Sequence, residues 1–269
     1  MLQGAPVIGA LFALGRLDVF ALALLVAGNA CLVGHVFVLN DWGGIETDAR
    51  DPRRAAWTFM ARGAGTRDMA WLALLLLAAG LLLLSLLSLA AAVIGASIAG
   101  LSALYSLPAI RGKGIPLFNS ALHLVGGALH FLLGYAAFGA IGAPALAISG
   151  FFGLVFTAGH FTHEARDHDG DRLNGIRTNA VVFGKRGGFL AGVALFGLAY
   201  LVLAALALRG LVPGLLAPLA GLAMVLHLLA AWRAWRAGLG YEALRGLQTV
   251  YRGLHAVIGL AMLATVPRW

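Results

Sequence analysis

Two acidic clusters are the parts of this sequence whose residue types and spacing are suited to chemistry. The first covers residues 40–51 (NDWGGIETDARD) and the second covers residues 163–172 (HEARDHDGDR). In the second cluster, Asp167 and Asp171 are four residues apart and would share one face of a helix. Because Mg²⁺ binds a few carboxylates together with waters and substrate phosphates, this pattern predicts a clamp for divalent cations and a diphosphate.

The first cluster would also place its polar side chains on one helical face if the helix before it continues through the polar residues. Asp48 lies eight residues after Asn40 and seven after Asp41, and both separations are close to two helical turns. A single acidic run is more often a solvated loop in which Asp and Arg neutralise each other. Two such clusters, 126 residues apart from Asp41 to Asp167, favour one shared site.

An apolar run precedes each cluster, and similar runs recur along the whole chain. A transmembrane helix needs roughly 20 mostly apolar residues. Such runs lie near 17–39, 68–87, 89–107, 116–138, 143–161, 187–208, 211–231 and 250–267. The earlier stretch from Gly4 to Gly15 has only 12 residues and is too short to span. The sequence therefore predicts an all-α integral membrane protein with seven or eight spans and a shortened first helix.

The composition agrees with a membrane protein. Apolar residues make up 61% of the chain and charged residues 11%, whereas soluble domains contain roughly 25% charged residues. These values exclude an ordinary soluble globule and a disordered chain. The net charge of +8 does not indicate nucleic-acid binding, because the Lys and Arg residues lie in short gaps between apolar runs. Cys31 is the only cysteine, so an intrachain disulfide is excluded.

The basic residues indicate an orientation. All of them except Arg16, Arg209 and Arg268 fall in alternate gaps between the apolar runs, hence on one side of the membrane. Cytoplasmic loops retain Lys and Arg, so that side is expected to be the cytoplasm. Both acidic clusters lie on it. The expected location is the inner membrane of a bacterium, with the active-site face in the cytoplasm.

The clusters and a segment between them follow the order of motifs in a known family. Along the chain come Asn40-Asp41 followed by Asp48, then Tyr105-Ser106-Leu107-Pro108 followed by Arg111 and Lys113, then Asp167-x-x-x-Asp171 followed by Gly175-Ile176-Arg177-Thr178. This order resembles the UbiA superfamily of intramembrane prenyltransferases over nearly the whole chain. The resemblance implies eight to nine transmembrane helices around a central cavity. The chain would form one domain, 1–269, with similar halves near 1–138 and 139–269.

The resemblance also implies a reaction and its participants. Prenyltransferases of this kind use Mg²⁺ to transfer a prenyl group from its diphosphate to an aromatic or lipidic acceptor in the membrane, a chemistry used in quinone biosynthesis. The expected metal ligands are Asn40, Asp41, Asp48, Asp167 and Asp171. Catalytic roles are expected for Asp167, Asp171, Lys113 and Tyr105. The basic residues expected at the diphosphate are Arg53, Arg54, Lys113, Arg172 and Arg177.

The first cluster departs from the family pattern at one position. The usual motif is Asn-Asp-x-x-Asp-x-x-x-Asp, and its middle carboxylate position is Gly44 here. Asp41 would replace the missing ligand if the helix unwinds at Gly43-Gly44, because glycine permits such a conformation. Three alternatives to prenyl transfer follow: a terpene cyclase, a catalytically impaired homologue that binds a lipid or quinone, and a transporter. A transporter would carry its carboxylates in mid-span, whereas these lie at helix ends.

Overall fold

The apolar runs form helices throughout the part of the chain that can be described. The structure is a computed structural model that describes residues 3–48 and 58–263; for Glu46, Thr47, Asp48 and Met60 it describes the backbone alone. The helices are α1 (Gly4–Leu14), α2 (Val19–Asp48), α3 (Thr66–Ser85), α4 (Leu89–Ser106), α5 (Phe118–Phe138), α6 (Ala143–Leu173), α7 (Asn179–Phe183), α8 (Lys185–Leu208), α9 (Leu216–Arg236) and α10 (Tyr241–Leu263). Two 3₁₀ turns, Met60–Arg62 and Gly112–Gly114, complete the regular structure of these residues.

Seven of the described helices are long and apolar enough to cross a membrane: α2, α3, α4, α5, α6, α8 and α9. Large apolar side chains such as Leu75, Leu82 and Leu201 are more than half exposed on them, as expected for surfaces that face lipid rather than water. The protein is therefore an all-α integral membrane protein, as the sequence predicts.

Helices α2 and α6 extend well past their apolar runs. The sequence predicts spans that end near residues 39 and 161, but the helices continue to Asp48 and Leu173. Both acidic clusters therefore stand on helix, and α2 remains helical through Gly43 and Gly44. The unwinding by which Asp41 would replace the missing carboxylate does not occur.

The first helix is short, as predicted, and it packs closely on α5. Helix α1 has 11 residues. A Cβ atom added at Gly134 of α5 would collide with the carbonyl oxygen of Pro6, and one added at Gly9 would collide with that of Phe131. The two backbones touch because both positions lack a side chain. The amide of Asn29 on α2 also donates a hydrogen bond of 2.7 Å to Gln3, just before α1.

Short connections make neighbouring helices antiparallel. Three residues join α3 to α4, and four residues join α5 to α6. Such connections force the chain to reverse direction. Contacts near their C-terminal ends, described below, bring α2, α4 and α6 together at one end of the bundle.

Candidate active site

The first acidic cluster packs against the end of α4. A Cβ atom at Gly43 would collide with the carbonyl oxygen of Ser106, the last residue of α4. Only glycine permits this approach of the two helices. Asn40 and Asp41 precede the contact and are half-buried on α2. The contact therefore fixes the helix of the first cluster against the Tyr105-Ser106 segment.

The same segment of α4 reaches toward the second cluster. The ring of Tyr105 contacts His123 of α5 edge-on, with ring centroids 5.2 Å apart, and His160 of α6 with centroids 6.4 Å apart. His160 lies two helical turns before Asp167. Tyr105 and Ser106 thus occupy the space between the two motif helices.

In the second cluster, Asp167 is oriented by its neighbour. Arg166 donates two hydrogen bonds to the Asp167 carboxylate, of 2.7 Å and 2.9 Å. The same guanidinium donates to Gln248 of α10 at 2.7 Å and lies 5.6 Å from the centre of the Tyr241 ring. A two-pronged pair of this kind fixes the direction of the carboxylate. Helix α10 therefore helps to position Asp167.

Asp171, one helical turn later, is 6% exposed. Its carbonyl oxygen accepts a hydrogen bond of 2.8 Å from the backbone of Ile176 after α6 ends. Gly175 makes this reversal with a positive φ of 67°, a conformation that favours glycine. The chain then passes Gly114, where an added Cβ would lie 3.9 Å from the backbone nitrogen of Arg177. This brings the segments that carry Lys113 and Arg177 side by side.

A buried polar network lies behind the second cluster. Glu164 of α6 is 4% exposed. One of its carboxylate oxygens accepts a hydrogen bond of 2.6 Å from Asn119 of α5, and the other accepts one of 2.9 Å from Asn179 of α7. Asn119 also donates to the carbonyl oxygen of Lys113 at 3.0 Å. The network ties the basic turn, α5, α6 and α7 together.

The sequence analysis does not identify this network. Its members, Asn119, Glu164 and Asn179, are separated by 45 and 15 residues, so no spacing rule connects them. The available signal is the placement of Asn119 and Glu164 within long apolar helices, where polar groups need partners.

Several residues of the predicted site are not described in the same detail. Arg53 and Arg54 lie outside the described residues, as does the side chain of Asp48. Arg172 and Arg177 are exposed, and Lys113 is half-buried. Among the described side chains, no group of three or more His, Cys, Asp and Glu residues lies close enough to hold a metal ion.

Comparisons with known proteins agree with the fold. The model of the UbiA prenyltransferase family matches residues 5–242. A UbiA homolog from Aeropyrum pernix in its apo form superposes with a TM-score of 0.77 at 18% identity, covering 97% of each chain. A UbiA homolog from Archaeoglobus fulgidus bound to GPP and Mg²⁺ superposes with a TM-score of 0.75 at 14% identity, covering 98% of this chain and 95% of that one.

A structure described as digeranylgeranylglyceryl phosphate synthase gives a TM-score of 0.73 at 17% identity, covering 98% of this chain and 92% of that one. The comparison with curated protein sequences finds no significant match.

Proposed function

Because the family match spans residues 5–242, the chain belongs to the UbiA prenyltransferase family, and we propose that it transfers a prenyl group from a prenyl diphosphate to an aromatic or lipidic acceptor. One structural observation carries the assignment of the site. The Tyr105-Ser106 segment contacts Gly43 on the first motif helix and His160 on the second. This pair of contacts supports the proposal that the two acidic clusters serve one site.

The residue types of the two clusters fit a site for Mg²⁺. Asp171 is buried near the C-terminal end of α6. Asn40, Asp41, Asp48, Asp167 and Asp171 offer the hard oxygen ligands that this ion prefers. When bound, Mg²⁺ would place positive charge beside the leaving diphosphate as its negative charge develops.

The basic residues would complete the binding of the diphosphate. Lys113 and Arg177 come from neighbouring segments, held together through Asn119 and Asn179. Their charges would stabilise the leaving group, Arg by two-pronged contacts and Lys as a point charge. Arg53, Arg54 and Arg172 are the further candidates. In this proposal the site opens toward the cytoplasm at the inner membrane of a bacterium.

The test compares two aspartates of the same motif. Asp171→Ala should lower Mg²⁺-dependent prenyl transfer by at least about tenfold, the scale seen when a metal site loses a supporting group. Asp169 is the matched control, because its side chain is 70% exposed and pairs with His168 and Lys185. Membranes carrying each variant are given GPP or DMAPP with several acceptors, and products are followed against Mg²⁺ concentration.

Each outcome of this assay has a clear meaning. Loss of transfer in Asp171→Ala with activity retained in Asp169→Ala supports the proposed clamp. Equal activity in wild type and Asp171→Ala would contradict the proposed clamp. A cyclic hydrocarbon formed without acceptor would identify a terpene cyclase instead.

A further inference from the structure

We propose that His160, oriented by Glu164, is the general base that takes the proton from the acceptor, an inference that rests on the proposed prenyl transfer. Prenylation of a hydroxylated acceptor releases one proton, whether the new bond forms at oxygen or at a ring carbon. Such a proton needs a nearby group of suitable basicity, and histidine serves this role most often. Among the described histidines near the motif residues, His160 is buried and faces a buried carboxylate.

His160 and Glu164 form a carboxylate–histidine pair. They lie four residues apart on α6, and Nε2 of His160 is 3.1 Å from Oε1 of Glu164. Their side chains are 6% and 4% exposed. A buried carboxylate facing one ring nitrogen orients the imidazole and compensates the positive charge that it gains with a proton.

The carboxylate is itself held in place. Asn119 and Asn179 donate hydrogen bonds to its two oxygens from α5 and α7. Asn179 also donates to Asn119 at 2.8 Å. Every contact uses Glu164 as an acceptor, the role of an ionised carboxylate. Hydrogen bonds from α5 and α7 thus hold Glu164, which fixes the direction of the carboxylate that faces His160.

This arrangement selects the tautomer of His160. Because a carboxylate only accepts hydrogen bonds, the nitrogen that faces it, Nε2, carries the proton in neutral His160. The other nitrogen, Nδ1, then carries the lone pair. It is the atom that can accept a proton from the acceptor.

The groups around His160 favour it over the stacked His123 as the site for that proton. His123 of α5 stacks on it with ring centroids 3.8 Å apart and planes 12° apart, Tyr105 of α4 meets it edge-on, and His163 lies one turn along α6. Two imidazolium ions in such a stack would repel each other. His160 has the Glu164 carboxylate beside it, whereas Nδ1 of His123 bonds the carbonyl oxygen of Asn119 at 2.8 Å.

The allylic C–O bond breaks, and its electron pair leaves with the diphosphate. A lone pair or π pair of the acceptor forms the new bond to the allylic carbon. The acceptor's proton moves to Nδ1 of His160 and is later released to water, which regenerates the neutral base.

The experiment uses His160→Gln and a matched control on α5. Glutamine retains an N–H donor that can face Glu164 but cannot take up the proton. His130→Gln is the control, because His130 bonds the carbonyl oxygen of Gly126 at 2.8 Å as His123 bonds that of Asn119, yet lies away from Glu164 and stacks on Phe156. Membranes receive GPP, Mg²⁺ and, in separate reactions, a phenolic acid, a hydroxynaphthoate and a glycerol-phosphate lipid.

Two products are measured: the prenylated acceptor and the prenyl alcohol formed when water captures the donor. In His160→Gln, kcat for the prenylated acceptor should fall by about 10²-fold or more, the usual contribution of a general base. Pyrophosphate release should continue, so the ratio of prenyl alcohol to prenylated acceptor should rise. His130→Gln should keep the wild-type ratio, and Glu164→Gln should shift it in the direction of His160→Gln.

The outcomes separate this inference from the proposed function. An unchanged product ratio and kcat in His160→Gln, with active wild type, would overturn the role of His160 alone. Parallel loss of pyrophosphate release and prenylated acceptor would also overturn it, since that result indicates a structural role. No prenylated product from any acceptor with wild type would contradict the proposed function and, with it, the role of His160 as the base.

Discussion

At the scale of single residues, the absence of one carboxylate in the first motif is the feature with the sharpest consequence. Gly44 occupies the position at which the family's usual motif has Asp, and α2 stays helical there. Gly44→Asp adds a hard oxygen ligand and a negative charge beside Asp41 and Asp48. We expect the Mg²⁺ concentration for half-maximal prenyl transfer to fall by about tenfold, equivalent to about 1.4 kcal/mol of binding.

The control for this prediction is Gly214→Asp. Gly214 lies between α8 and α9, at the end of α8 opposite Lys185 and the second cluster, and an added Cβ there would meet nothing within 4 Å. This variant adds the same negative charge away from the motif, and the Mg²⁺ dependence of its prenyl transfer should match that of wild type. A Gly44→Asp variant with unchanged Mg²⁺ dependence would show that this position does not face the metal. Activity in Gly44→Asp but none in wild type would identify an impaired homologue.

The residue scale also shows where sequence reasoning stops. The spacing of Asp167 and Asp171 is visible because a helix places positions four apart on one face. The pair of Arg166 with Gln248 joins residues 82 apart, and the contact of Asn119 with Glu164 joins residues 45 apart. Such contacts depend on how helices pack, so no local pattern predicts them.

At the scale of helices, the starts and ends of most apolar runs were predictable to within a few residues. For example, the runs predicted near 89–107 and 116–138 form Leu89–Ser106 and Phe118–Phe138. The ends of α2 and α6 were not predictable in this way. An apolar run ends at its first polar residues, whereas a helix can continue where its polar groups share one face. The added turns are those that carry the acidic clusters.

The approach of α1 to α5 gives a prediction about stability. Gly134→Ala places a methyl group against the backbone of Pro6 and should force the helices apart, at a cost of about 1–3 kcal/mol. Gly126→Ala is the matched control on the same helix, since its added Cβ meets nothing within 4 Å, and alanine favours a helix by about 1 kcal/mol over glycine.

The two alanine variants should therefore shift thermal stability in opposite directions. In detergent, the unfolding midpoint should fall for Gly134→Ala and should stay level or rise for Gly126→Ala. Equal midpoints for the two variants would mean that α1 does not press on α5 at Gly134.

At the scale of the whole molecule, the distribution of charge and the order of the helices together predict the topology. The basic residues predict that the C-terminal ends of α2, α4 and α6 face the cytoplasm. The connections that follow then predict that α10 starts in the cytoplasm and ends outside. Helix α10 has 23 residues and is about 35 Å long, which is long enough to cross, although it is not one of the seven helices that are also apolar enough.

A reporter fused after Trp269 should therefore lie outside the cytoplasm, whereas the same reporter fused after Arg236, at the end of α9, should lie inside. Arg233 and Arg236 at the end of α9 and Arg245 in the first turns of α10 favour the cytoplasm for that end by the positive-inside rule. Alkaline phosphatase, active only outside, and green fluorescent protein, fluorescent only inside, give opposite readouts for each fusion. A cytoplasmic signal from both fusions would mean that α10 packs against α6 and α9 without crossing the membrane.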